Sequence, residues 1–192
     1  MLLRLTPIVA LCLMLVPARL TADDSRAATQ PAATPDRPLA IFQRILGTWR
    51  GDAHWSNGEE LHTRVKYEYG VGEHVVKVAS FVVKQQTSDA TLVYETFIWH
   101  HPRDKQFRFI SISNGGALYE GTVNGTRDEL NFQWSAYLQD RKTDYKQVLK
   151  MKGDDAYQWT VWQKAPDGAW KQIIDAVLTR VPATAASATS AR

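Results

Sequence analysis

The chain is 192 residues long, 44% hydrophobic and 22% charged, with a formal net charge of +3. That balance excludes a wholly disordered chain and a multi-span membrane protein, and the length suits one domain with flanking segments. Arg4 and Arg19 stand in the first 22 residues without an acid, so the remainder carries 21 basic against 20 acidic side chains and no basic footprint for nucleic acid.

The N-terminus opens with Arg4 and an apolar run from Leu5 to Ala18. Those 14 residues suit the core of a secretory signal and fall short of the ~20 that a spanning helix needs. Ala18 and Ala22 offer two small residues for cleavage. Residues 1–22 are therefore expected to be a signal peptide, and the protein to be periplasmic or secreted with no membrane span after cleavage. Pro7 and Pro17 disfavour a retained anchor, and Leu11 before Cys12 disfavours a lipoprotein. Cys12 is the single cysteine, so the processed chain would have no disulfide, no thiolate nucleophile and no zinc–thiolate site.

Asp23 to Asp36 is rich in Ala, Thr and Pro, without periodicity, and reads as a disordered linker. Ala183 to Arg192 reads as a disordered tail. All 20 aromatic residues fall between Phe42 and Trp170, which places the folded domain at 37–182. It opens with a short helix near 37–46, in which Leu39, Phe42 and Leu46 recur at helical spacing before Gly47. The period then changes to two. Leu61, Thr63, Val65, Tyr67 and Tyr69 alternate with polar residues, and so do Leu130, Phe132, Trp134, Ala136 and Leu138.

Turn signals recur at strand spacing, from Asn57-Gly58 and Gly70-Val71-Gly72 through Asn114-Gly115-Gly116 and Asn124-Gly125 to Pro166-Asp167-Gly168. Nine such breaks separate about ten strands. Short connections favour an up-and-down order, and closure hides the edges of so many strands. The expected fold is all-β: an antiparallel up-and-down barrel of about ten strands, capped by the helix, with room inside for side chains or one small ligand.

Candidate binding residues follow from the expected register. Placing Trp99 across from Phe107, Phe97 from Phe109 and Glu95 from Ser111 puts Glu95 on an aromatic face, with Tyr119 on the next strand. An acid there needs a partner and would anchor a ligand or a water; if the face points outward, Glu95 is simply solvated. Trp134 and Phe132 are expected to ring the lumen. The candidate ligand-binding set is Glu95, Phe97, Trp99, Phe109, Ser111, Tyr119 and Trp134. On the opposite face Arg108 and Glu120 lie diagonally, close enough to form an ion pair.

No residue reads as catalytic. The chain lacks a Gly-x-Ser-x-Gly elbow, a Gly-rich phosphate loop and a His-Glu-x-x-His motif. Asp175, between Ile173 and Val177, is a weak inward candidate. His100 and His101 are neighbours on a strand and point to opposite faces, so both cannot hold one metal from a regular strand. Matching Trp55 with Leu61 places His54 opposite His62, with Asp52 beside Arg64; an exposed pair of this kind is more often nothing, and no metal is expected.

The stretch Ile45-Leu46-Gly47-Thr48-Trp49-Arg50-Gly51 resembles the Gly-x-Trp opening strand of lipocalin-like (calycin) barrels. With Glu95-Thr96, Trp99-His100-His101-Pro102, Arg108-Phe109 and Gly116 to Gly121, it is similar to a bacterial secreted lipocalin-like family of unknown function, and more distantly to the haem-binding nitrobindin barrels. The resemblance implies that Trp49 packs under Arg180 of the last strand, a structural role. It also implies, in the nitrobindin case, a haem-binding histidine near that strand. Trp170 to Val181 contains none, so haem and other cofactors are not expected.

The first expectation is an exported, non-enzymatic protein that binds a small apolar or amphipathic molecule inside the barrel. The alternatives are a small exported enzyme using an inward carboxylate with His100, and an envelope interaction module with a filled barrel. Oligomeric state is not legible.

Overall fold

The computed structural model describes residues 37–84, 89–138 and 141–183, the side chains of residues 138 and 141 excepted. The expected signal and linker lie outside the described residues, as does the expected tail apart from Ala183.

The described chain begins with a 3-10 helix, Pro38–Ile45, which buries Leu39, Phe42 and Ile45. Ten strands follow: β1 Gly47–Trp55, β2 Glu60–Gly70, β3 Val75–Val83, β4 Ala90–His100, β5 Phe107–Ser113, β6 Leu118–Gly125, β7 Glu129–Leu138, β8 Arg141–Met151, β9 Ala156–Lys164 and β10 Trp170–Arg180. Each pairs antiparallel with its chain neighbours, and β10 pairs with β1, so the sheet is a closed up-and-down barrel. Closure leaves no edge strand. Among the described residues no helix is long and apolar enough to cross a membrane.

The helix closes one end of the barrel. Phe42 is fully buried and meets Phe107 edge-on, with ring centroids 5.3 Å apart. Beside it lies Trp49, 0% exposed, whose indole N–H donates to the Ile45 carbonyl over 2.7 Å. Trp49 meets the Tyr157 ring edge-on at 4.8 Å, and the Arg180 guanidinium lies 4.1 Å over the Trp49 ring. Arg180 also donates to the carbonyls of Leu46 (2.6 Å) and Arg44 (2.8 Å), which ties β10 to the helix. Arg44 in turn pairs with Asp128 and, at 2.7 Å, with Asp154 on two further loops. Gly47 adopts φ 113°, and a β-carbon there would stand 2.9 Å from the Arg180 guanidinium, so the glycine opening β1 meets both a backbone and a space requirement.

Two registers differ from expectation. Leu61 pairs with Ala53, not Trp55, because the chain turns tightly: the Trp55 amide donates to the Glu59 carbonyl at 2.8 Å. This two-residue shift keeps every face but changes neighbours, so His54 pairs with Glu60 and His62 with Asp52. Between β4 and β5 the shift is one residue. Trp99 pairs with Arg108, Phe97 with Ile110 and Glu95 with Ile112. A one-residue slip moves a strand's side chains to the other face, so β4 turns Thr96 and Ile98 inward in place of Glu95 and Phe97.

Candidate ligand-binding lumen

A cavity of about 350 Å³ lies inside the barrel beyond the Trp49–Tyr157 floor. Its size is at the lower end of ~300–1,000 Å³, the range of small-molecule sites. Strand alternation builds the wall: Thr63, Val65 and Tyr67 of β2, Thr96 and Ile98 of β4, Phe109 and Ser111 of β5, Phe132 and Trp134 of β7, and Tyr157, Trp159 and Val161 of β9. An irregularity in the β9–β10 pairing between Gln172 and Ile174 brings Ile173 to the wall beside Ile174.

The aromatic wall is interlocked. Phe109 meets Phe132 at 5.6 Å and Trp134 at 6.1 Å, both edge-on, and Trp134 stacks on Tyr145 at 5.4 Å. Gly121 makes room for this. It pairs with both Phe109 and Trp134, and a β-carbon there would stand 2.8 Å from each of those side chains. Tyr94 of β4 and Tyr119 of β6 meet edge-on at 5.9 Å across the intervening β5.

Most polar groups in the wall satisfy one another. Thr96 donates to Ser111 (2.7 Å), the Trp159 indole to Gln147 (2.9 Å) and Thr63 to the Gly51 carbonyl (3.1 Å). The Trp55 indole nitrogen is buried without a hydrogen-bond partner. Burial pushes the Tyr67 phenol up to about 12, although a hydrogen bond with Tyr157 pulls it back; Tyr157 is pushed well up by burial and then by Tyr67. The Tyr94 and Tyr145 phenols are also raised, by burial first and then by neighbouring tyrosines. All four are therefore uncharged at neutral pH.

The sequence-predicted set divides. Phe109, Ser111, Tyr119 and Trp134 line the lumen, whereas Glu95, Phe97 and Trp99 do not. The one-residue register shift is the reason. Glu95 lies on the outer face, 39% exposed at its side chain, 2.7 Å from Lys77. Replacing Glu95 with glutamine is expected to lower stability by no more than about 1 kcal/mol, the scale of an exposed ion pair, and to leave lumen binding unchanged; urea denaturation and a ligand titration check both.

The other polar candidates are also placed differently. Arg108 and Glu120 do lie diagonally, with Glu120 opposite Ile110, but the ion pair of Arg108 is with Asp104. Asp175 is exposed on the outer face, held by Gln158 and, at 3.4 Å, by Thr160. His100 leans on Phe107 at 5.3 Å, and His101 lies 2.7 Å from Asp104. His62 meets Asp52, and His54 stands 3.7 Å from Glu60. No cluster of three or more His, Cys, Asp or Glu able to hold a metal occurs among the described residues. The described lumen wall contains no histidine and so does not fit a histidine-ligated haem.

Sequence reasoning missed Thr96, Tyr145, Gln147 and Trp159. The last three were readable: Tyr145, Gln147 and Leu149 alternate along β8, and Tyr157, Trp159 and Val161 along β9.

No family model and no curated protein matches the chain. Among solved structures it is similar to Rv2717c from M. tuberculosis, at 15% identity and TM-score 0.52, over 76% of this chain and 98% of that one. It is more loosely similar to the S-type phycobiliprotein lyase CPES from Guillardia theta, at 12% identity and TM-score 0.45, over 74% and 92%. A redesigned β-barrel, mFAP1, bound to DFHBI, matches at 11% and 0.39, over 73% and 98%. The last two superpose too loosely to carry an argument. With Rv2717c the chain shares a fold, and at this identity the fold alone.

Proposed function

We propose that the protein is an exported, lipocalin-like carrier that holds one small apolar or amphipathic molecule inside its barrel. The observation that carries this reading is the hollow lumen itself, about 350 Å³ walled mainly by aromatic and aliphatic side chains. A barrel serving only as an interaction module would have a lumen packed shut. The enzymatic alternative needed an inward carboxylate beside His100, and both carboxylates considered for it, Glu95 and Asp175, sit on the outer face. Export rests on the apolar run from Leu5 to Ala18.

Native mass spectrometry of protein purified from its own periplasm is expected to reveal a co-purifying small molecule. The same preparation, stripped and titrated with the uncharged dye Nile red, should take up one equivalent with a rise in dye emission. A bare mass together with no dye uptake would overturn the carrier reading.

A further inference from the structure

We propose that the lumen selects uncharged, flat aromatic molecules carrying a hydrogen-bond acceptor and rejects anions, an inference that rests on the carrier reading. Among the described residues, no Asp, Glu, Lys, Arg or His lines the cavity. A ligand carboxylate drawn inside would lose its water and find no cation to replace it. The donors of the wall are neutral and cannot replace the missing charge, and two of them, Thr96 and Trp159, are already engaged with Ser111 and Gln147. The cations on aromatic rings stand outside the lumen: Arg64 lies 4.7 Å from the ring of Phe81, which borders the cavity, but does not line it itself, and Lys146 lies 4.9 Å from the rings of Trp162 and Trp170, none of which lines it.

The wall favours flat rings by its own shape. Phe109, Phe132, Trp134 and Tyr145 form a continuous aromatic contact, with Trp134 and Tyr145 only 11° from parallel. Rings of this kind prefer edge-on or offset-stacked partners. Trp55 lines the cavity, and its indole N–H is buried behind the wall with no partner. A buried donor without a partner is unfavourable, so a ligand hydroxyl, ether or carbonyl would satisfy it once a small side-chain shift opened the N–H to the lumen.

The test compares two fluorescent probes with one ring system, 1-pyrenemethanol (uncharged) and 1-pyrenecarboxylate (anionic at pH 7), titrated into the full-length protein as it is secreted. Pyrenemethanol is expected to bind at least about tenfold tighter, the scale of leaving one charge without a partner. Lowering the pH towards the probe's own carboxyl pKa should close the gap. Trp55→Phe should weaken pyrenemethanol by about fivefold, one ordinary hydrogen bond, and leave unsubstituted pyrene unchanged. Equal or tighter binding of the carboxylate overturns the neutrality filter while the carrier reading stands. Equal loss of pyrene and pyrenemethanol in Trp55→Phe overturns the indole as the acceptor's partner. Binding of none of the three probes overturns both the inference and the lumen as a binding site.

Discussion

Replacing Trp49 with alanine is expected to destabilise the protein by about 3–5 kcal/mol, the cost of emptying a fully buried aromatic site. Few positions combine so many roles. The ring fills the floor of the barrel, its N–H satisfies the Ile45 carbonyl at the end of the helix, and its face receives the Arg180 guanidinium. Removing it leaves a cavity against Tyr157 and leaves Arg180 over empty space. Trp49→Phe retains part of the ring and should lose distinctly less. Equilibrium urea denaturation measures both; a loss below about 1 kcal/mol for Trp49→Ala would mean that the helix end is not a packed plug.

Gly121→Ala is the second large effect, expected to cost about 2–3 kcal/mol although it adds one methyl group. Strand positions usually tolerate alanine, and here three neighbours forbid it. The new carbon would meet the Gln133 carbonyl oxygen of the adjoining strand and stand 2.8 Å from Phe109 and from Trp134. Backbone cannot give way without breaking the β6–β7 ladder, so the rings must shift instead. Thermal unfolding should fall by several degrees, and near-ultraviolet circular dichroism should change with it as the Phe109–Trp134 contact is reset. An unchanged melting temperature would show that the wall at this point is loosely packed.

Much of the barrel was legible because two simple signals agreed. Turn residues marked nine connections, and period-two alternation in β2 and β7 assigned their faces; both strands are alternately buried as Thr63, Val65 and Tyr67 and as Leu130, Phe132 and Ala136 suggest. The candidate site was half legible. Phe109, Ser111 and Tyr119 were assigned to one face together, and the β5–β6 pairing keeps them so. β4 failed because it carries large apolar residues on both faces, Tyr94 and Ile98 on one and Phe97 and Trp99 on the other. Alternation then says nothing about which face is inside, and only the exact length of the connection at residues 101–106 decides it. The β1–β2 error was milder for a physical reason: a shift of two residues preserves faces, so the lumen survived it and only cross-strand partners changed, those of His54 and His62 among them.

The pairing of β1 with β10 gives the molecule a late seam. The ring cannot shut until the last strand has formed, and its two lips come from opposite ends of the domain's sequence, joined by contacts such as Trp49 with Arg180. Contacts that distant are slow to form. Until they do, β1 and β10 each present a bare row of amides and carbonyls, the template for sticking to another chain. A chaperone or a rapid handover that shields those two borders would therefore matter more to this protein's yield than any further gain in the strength of its interior.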